Sequence, residues 1–130
     1  MSVGLLIITH KNVGKALLEA ASAILGNCPL PVITLSIEND CDPEKKSAIV
    51  KKYIKKLDKD QGILILTDMY GSTPSNIACK HISKNIKAVS GLNLPMLVKI
   101  FNYPNLDLNQ LINKATSGGI DGVMTCKNDH

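Results

Sequence analysis

Short apolar runs and amphipathic stretches alternate along this chain. Val3-Gly4-Leu5-Leu6-Ile7-Ile8-Thr9 is an unbroken apolar run of strand length, which predicts a strand buried on both faces. From Asn12 to Leu25 the period changes to that of a helix, with Val13, Ala16, Leu17, Ala20, Ala21 and Ile24 on one stripe. Asn12 is placed to cap it, and Gly26-Asn27 to end it. Val32 to Ile37 reads as a second strand. Asp42-Pro43-Glu44 combines an N-cap, a proline at the first helical position and a first-turn acid. The helix it opens runs to about Leu57 with Ile49, Val50, Tyr53, Ile54 and Leu57 on one side and Lys45, Lys51, Lys52, Lys55, Lys56 and Lys59 on the other. Such a basic face reads as a solvated outer surface. Gly62 to Thr67 predicts a third buried strand, followed by a helix from Pro74 to about His81. Ile86 to Val89 predicts a shorter fourth strand. Leu94 to Ile100 and Leu106 to Ala115 read as helices, and Ile120 to Met124 as a short final strand.

Strand and helix alternate with no linker, repeat or low-complexity segment. The expectation is one domain over residues 1–130, of class α/β, with a mainly parallel sheet covered by helices on both faces. For four strands, the flavodoxin-like order 2-1-3-4 fits best. In that order strands 1 and 3 are neighbours, and the crevice at their carboxyl ends is the topological switch point, where open α/β sheets bind ligands.

Composition narrows the chemistry. No stretch approaches the about 20 apolar residues of a membrane span. The first apolar run is too short, and lacks the basic flank, for a signal peptide, so a soluble cytoplasmic protein is expected. Cys28, Cys41, Cys79 and Cys126 show no CxxC spacing and no histidine at a metal-ligand interval, and read as ordinary reduced cysteines. Glu38, Asp40 and Asp42 read as a turn and a helix cap, with no metal implied. The net charge is +4, all fifteen basic residues are lysines, and aromatic residues make up 3%. Without arginine forks or stacking rings, nucleic acid is not an expected partner. An anion must then be held by backbone N–H groups, hydroxyls or lysine.

Two polar dipeptides end the strands that meet at the switch point: Thr9-His10 after the first and Thr67-Asp68 after the third. A carboxylate beside an imidazole fixes the tautomer, with one nitrogen donating and the other left as a lone pair that serves as nucleophile or base. The segment Tyr70-Gly71-Ser72-Thr73-Pro74-Ser75-Asn76 opens the third helix. Pro74 at the first helical position makes Thr73 the expected N-cap. The N–H groups of Gly71, Ser72 and Thr73 there form a candidate phosphate cradle. His81, inside a helix, and His130, at the chain end, are given no role.

Three stretches together carry a resemblance. Leu6-Ile7-Ile8-Thr9-His10 resembles the opening of the mannose-family IIA domain of the phosphoenolpyruvate-dependent sugar phosphotransferase system. Thr67 to Asn76 is similar to that family's Asp-containing loop, and Gly91-Leu92-Asn93-Leu94-Pro95-Met96-Leu97 to its third signature. The match spans nearly the whole chain. It implies a flavodoxin-like phosphocarrier, a phosphotransferase by reaction. His10 would accept phosphate from phospho-HPr and pass it to a IIB domain for sugar uptake, with Asp68 orienting the ring. It implies a homodimer with an exchanged C-terminal strand, and a link to a membrane permease only through partners. No cofactor or metal is implied, because the donor is another protein's phosphohistidine. The chain departs from the family at Lys11 and Ser72, where glycine is usual, and Lys11 reads as a solvated side chain. Other readings are a regulatory module using the same phosphorylation, a hydrolase built on His10, Asp68 and Ser72 or Thr73, and a nucleotide-binding or receiver-like module. The hydrolase lacks a GxSxG elbow, and the last reading lacks GxGxxG, a P-loop and paired acids after the first strand.

Overall fold

The computed structural model describes residues 2–128; His130 lies outside them. Nine elements follow in the order β1 (Gly4–His10), α1 (Val13–Leu25), β2 (Val32–Ile37), α2 (Pro43–Leu57), β3 (Ile63–Thr67), α3 (Thr73–Cys79), β4 (Ile86–Ser90), α4 (Leu94–Phe101) and α5 (Leu108–Asp121). The four strands form one sheet in the order β2-β1-β3-β4, with every pairing parallel. This is the flavodoxin-like arrangement the alternation predicts.

Alternation along the central strands divides the core in two. Leu5 and Ile7 of β1 and Leu64 and Leu66 of β3 pack with Ala21 of α1, Leu97 and Ile100 of α4, and Leu111 and Ala115 of α5. Leu6, Ile8, Ile63 and Ile65 face the other way, onto Val50 and Leu57 of α2 and Ile77 and Ala78 of α3. Because side chains alternate across a strand, a strand covered on both faces must be apolar at every position, which is why β1 and β3 read as unbroken runs. Gly14 lets α1 lie close on β1: a Cβ there would come within 2.5 Å of Ile7 Cγ2.

Several boundaries differ from the expectation. The cap of α3 is Ser72, not Thr73; Pro74 is tolerated one position later because the first-turn N–H groups have no helical partner. α3 also ends at Cys79 rather than His81. The C-terminal region departs furthest. α5 starts later, behind an Asp107–Gln110 capping box, and runs on to Asp121, so the expected strand over Ile120–Met124 is not formed. The Gly118-Gly119 pair does not stop the helix. It packs against α4, where a Cβ would meet Lys99 Cβ at 2.5 Å or Met96 Cε at 2.9 Å. Ile120, Val123 and Met124 are left exposed.

Candidate functional site

β1 and β3 are hydrogen-bonded with Ile8 opposite Thr67, so the residues just beyond, His10 and Asp68, emerge together at the carboxyl end of the sheet. Asp68 Oδ2 lies 2.9 Å from His10 Nδ1 and also accepts the His10 backbone N–H at 3.1 Å. One oxygen thus fixes both the ring and the backbone of the same residue. With a carboxylate as acceptor, Nδ1 carries the proton and Nε2 keeps its lone pair. Nε2 makes no hydrogen bond among the described residues, and the His10 side chain is 37% exposed against 14% for Asp68. The other carboxylate oxygen, Oδ1, is buried and has no hydrogen-bond partner.

The strand end is braced from below. Thr9 is 1% exposed, and its Oγ1 accepts the Gly14 N–H at 2.8 Å. It thereby satisfies a first-turn donor of α1, a task expected of Asn12, whose side chain makes no cap bond and instead accepts weakly from Ser36 Oγ. Thr67, equally buried, shares a 2.8 Å hydrogen bond with Ser90 at the end of β4. These supporting residues were not singled out from sequence. The signal was a threonine closing each apolar run directly before a polar residue. After His10, Lys11 is held at φ 44°, with its N–H donated to Ile37 O at 3.0 Å. That left-handed conformation is uncommon for a residue with a Cβ.

The predicted cradle follows Asp68 at the same end of the sheet, without bonding to His10 or Asp68. Gly71 has φ 81° with open space around it, and the N–H groups of Gly71 and Thr73 have no partner among the described residues. Ser72 is arranged otherwise: both its N–H and its hydroxyl are directed at the carbonyl of Met69. Met69 and Tyr70 beside it are exposed apolar side chains.

His10 stands on an open surface. A cavity of about 470 Å³ lined by Asp58, Asp60, Gly62, Lys84, Asn85 and Asp107 lies at the opposite, amino end of the strands. An exposed imidazole lone pair, a carboxylate behind it and uncommitted N–H groups nearby can take and hold an anionic group presented from outside. Among the described residues no group of His, Cys, Asp and Glu side chains could hold a metal ion, and no helix is long and apolar enough to cross a membrane.

Comparison with known proteins agrees with this architecture. The chain is 27% identical over 134 residues to the PTS system mannose-specific EIIAB component of Escherichia coli K12, covering 98% of this chain but only 40% of that protein. It is 26% identical over 125 residues to the transcriptional regulatory protein LevR of Bacillus subtilis, covering 92% of this chain and 13% of that one. Among solved structures, the mannose/sorbose specific IIA subunit of the phosphotransferase system from Enterococcus faecalis superposes with a TM-score of 0.89 over 100% of this chain and 98% of that one, at 22% identity, which establishes the shared fold. The family model described as the PTS system fructose IIA component matches residues 4–116, and the chain therefore belongs to the mannose-type IIA family of the phosphotransferase system.

Proposed function

We propose that this chain is a phosphoryl carrier that is phosphorylated on His10 Nε2 by phospho-HPr and hands the group to a IIB domain for sugar uptake. The observation that carries the reading is the His10–Asp68 pair at the switch point, which leaves Nε2 free and outward-facing. The Nε2 lone pair attacks phosphorus in line with the donor's N–P bond. That bond breaks, its electrons return to the donor ring, and a new N–P bond forms on Nε2. His10 becomes cationic while keeping its Nδ1 proton. Asp68 stays ionised, and its bond to Nδ1–H strengthens as positive charge develops, so it helps the charged state more than the resting one. The N–H groups of Gly71 and Thr73 are available to the phosphoryl oxygens; Ser72 joins them only by releasing Met69 O. Transfer to the IIB domain is the same step with the roles exchanged.

An open site suits protein donors and acceptors, and the exposed Met69 and Tyr70 give it an apolar rim for contact with them. The carrier works in the cytoplasm and reaches a membrane permease only through partners. It forms a homodimer, for which Ile120 in the last turn of α5 and Val123 and Met124 beyond it, all exposed, supply apolar surface. The likeness to LevR favours a second reading, in which the same phosphorylation controls another protein and does not feed transport.

Incubating the chain with phosphoenolpyruvate, enzyme I and HPr, then measuring intact mass, tests the first step. One acid-labile phosphate is expected, absent from His10→Ala and retained in His81→Ala. Labelling that persists in the His10 variant overturns the assignment. Transfer from the phosphorylated chain to a IIB domain separates transport from the regulatory reading, which predicts none.

A further inference from the structure

A second cluster of polar side chains sits between α2 and the segment after α3. Ser47, in the second turn of α2, has its Oγ 2.8 Å from Nε2 of His81, just past the end of α3. Ser47 also lines an open cavity of about 250 Å³ together with Glu44, Ala48, Lys51 and Lys80. Lys51 lies one helical turn after Ser47 on the same face, and Lys80 directly precedes His81. Neither ammonium has a carboxylate within ion-pair distance among the described residues. Burial, then Lys51, then Lys80 hold the His81 imidazole below its ordinary protonation range. Lys51 and Lys80 therefore give the cavity a positive potential that Glu44 offsets only in part, and the His81 imidazole behind Ser47 is biased toward its uncharged form while nothing else is there.

We propose that Ser47, Lys51, Lys80 and His81 form a binding site for a small phosphoryl dianion. The two ammonium groups supply the attraction and the Ser47 hydroxyl supplies a directional donor. Glu44, on the rim of the same cavity, repels the flank of any extended polyanion, so the site selects a compact ligand over nucleic acid or an anionic membrane. The hydrogen bond to His81 makes the site proton-linked. With the cavity empty, the Ser47 hydroxyl can donate to the Nε2 lone pair. With an anion present, it turns to the anion, Nε2 takes one proton from solvent, and Nε2–H donates to Ser47 Oγ. The charged groups around the cavity are Glu44 and Lys51 from α2 and Lys80 from the end of α3, and the protonated imidazole adds a third cation to them. This inference uses none of the residues around His10 and is independent of the phosphocarrier reading.

The test is titration of the full chain with sodium sulfate, inorganic phosphate and glycerol 3-phosphate at constant ionic strength, following the His81 ring resonances. Sulfate keeps its charge across the range in which histidine titrates, so it isolates the proton linkage. All three should move the His81 signals saturably, and sulfate should raise the pH at which His81 titrates. Affinity for sulfate should increase by up to about tenfold per pH unit as His81 becomes protonated. The combined Lys51→Gln and Lys80→Gln variant should bind about tenfold more weakly or worse, with its fold intact because both lysines are exposed. Tighter binding of glycerol 3-phosphate than of phosphate identifies an esterified ligand, and the reverse identifies the free ion. No saturable shift of His81, or an equal shift in the double variant, overturns the proposal.

Discussion

Asp68 makes two separable contributions, and replacing it in two ways pulls them apart. Its Oδ2 accepts two hydrogen bonds from His10, one of which strengthens as the ring becomes cationic. A hydrogen bond to a charged group contributes about 1.5–3 kcal/mol. Losing about 2 kcal/mol from the charged state alone corresponds to roughly a 30-fold slower transfer. Stability behaves differently, because Oδ1 is buried without a partner. Asp68→Ala loses about 1.5–3 kcal/mol from the His10 N–H bond to the carboxylate but also removes an unsatisfied buried oxygen, whose burial costs about 1–3 kcal/mol. The two terms nearly cancel. Asp68→Asn keeps an oxygen for both His10 donors but puts an amide NH₂ where Oδ1 now has no partner, and that group costs about 1–3 kcal/mol. The expected orders are therefore opposite. In rapid-quench transfer from phospho-HPr, Asn should lose about tenfold and Ala about 30-fold. In urea unfolding, Ala should stay within about 1 kcal/mol of the parent, with Asn the less stable of the two. Parent-like transfer by the Ala variant, or an Asn variant more stable than Ala, would refute this account of the site.

Gly14→Ala places a methyl group 2.5 Å from Ile7 Cγ2 and 3.1 Å from Thr9 Oγ1, both on stiff β-branched side chains. It should cost about 2–3 kcal/mol by denaturant unfolding and slow phosphorylation as α1 lifts from the strand bearing His10. Lys11→Gly relieves a left-handed conformation that costs about 1–2 kcal/mol while adding about 0.5–1 kcal/mol of unfolded-state entropy, so thermal unfolding should show a small net stabilisation. His81 titrates below its ordinary range in the folded chain, so its stabilising contribution is complete above about pH 6.5 and is lost as pH falls through the lower folded-state value. In phosphate-free buffer, His81→Asn should flatten the decline in stability over that acidic window. Lys52 and Lys56 stand 9 and 13 positions along α2 from Pro43, whose end of the helix is level with His10. At about 1.5 Å per residue they lie roughly 13–20 Å further from the site. Reversing both to Glu should leave transfer from HPr within a few-fold of the parent, whereas Lys11→Glu, next to the nucleophile, should reduce it more.

The sheet is legible because strands covered on both faces leave little room for polar residues: β1 and β3 are apolar up to their closing threonines, and the polar residues at and just beyond their ends mark the site. The order 2-1-3-4 by itself makes the strands that carry His10 and Asp68 neighbours. Side-chain commitments were not legible. The sequence around Ser72 supports a phosphate cradle as readily as a turn, and the choice rests on where the Met69 carbonyl points. Ser72 and Thr73 are both good caps, and proline fits either of the first two helical positions, so that assignment missed by one residue. At the C-terminus, Gly118-Gly119 looks like a break between a helix and an apolar strand. Only the fit of both glycines against α4 shows them to be packing positions inside a longer helix.

β1 precedes the strands it pairs with along the chain, and it cannot present His10 by itself. Its neighbours are β2 and β3, and Asp68 is 58 residues away in sequence. Both ladders are parallel and require a crossover helix, so the nucleophile is oriented only after two long loops have closed and α1 and α2 have docked. A partly folded chain with native helices but an unpaired β1 would be silent as a phosphoryl acceptor. Competence for phosphorylation during refolding is therefore a reporter of sheet assembly, distinct from helix content. It should lag the recovery of far-ultraviolet ellipticity in the Gly14→Ala chain, where α1 docks poorly on β1.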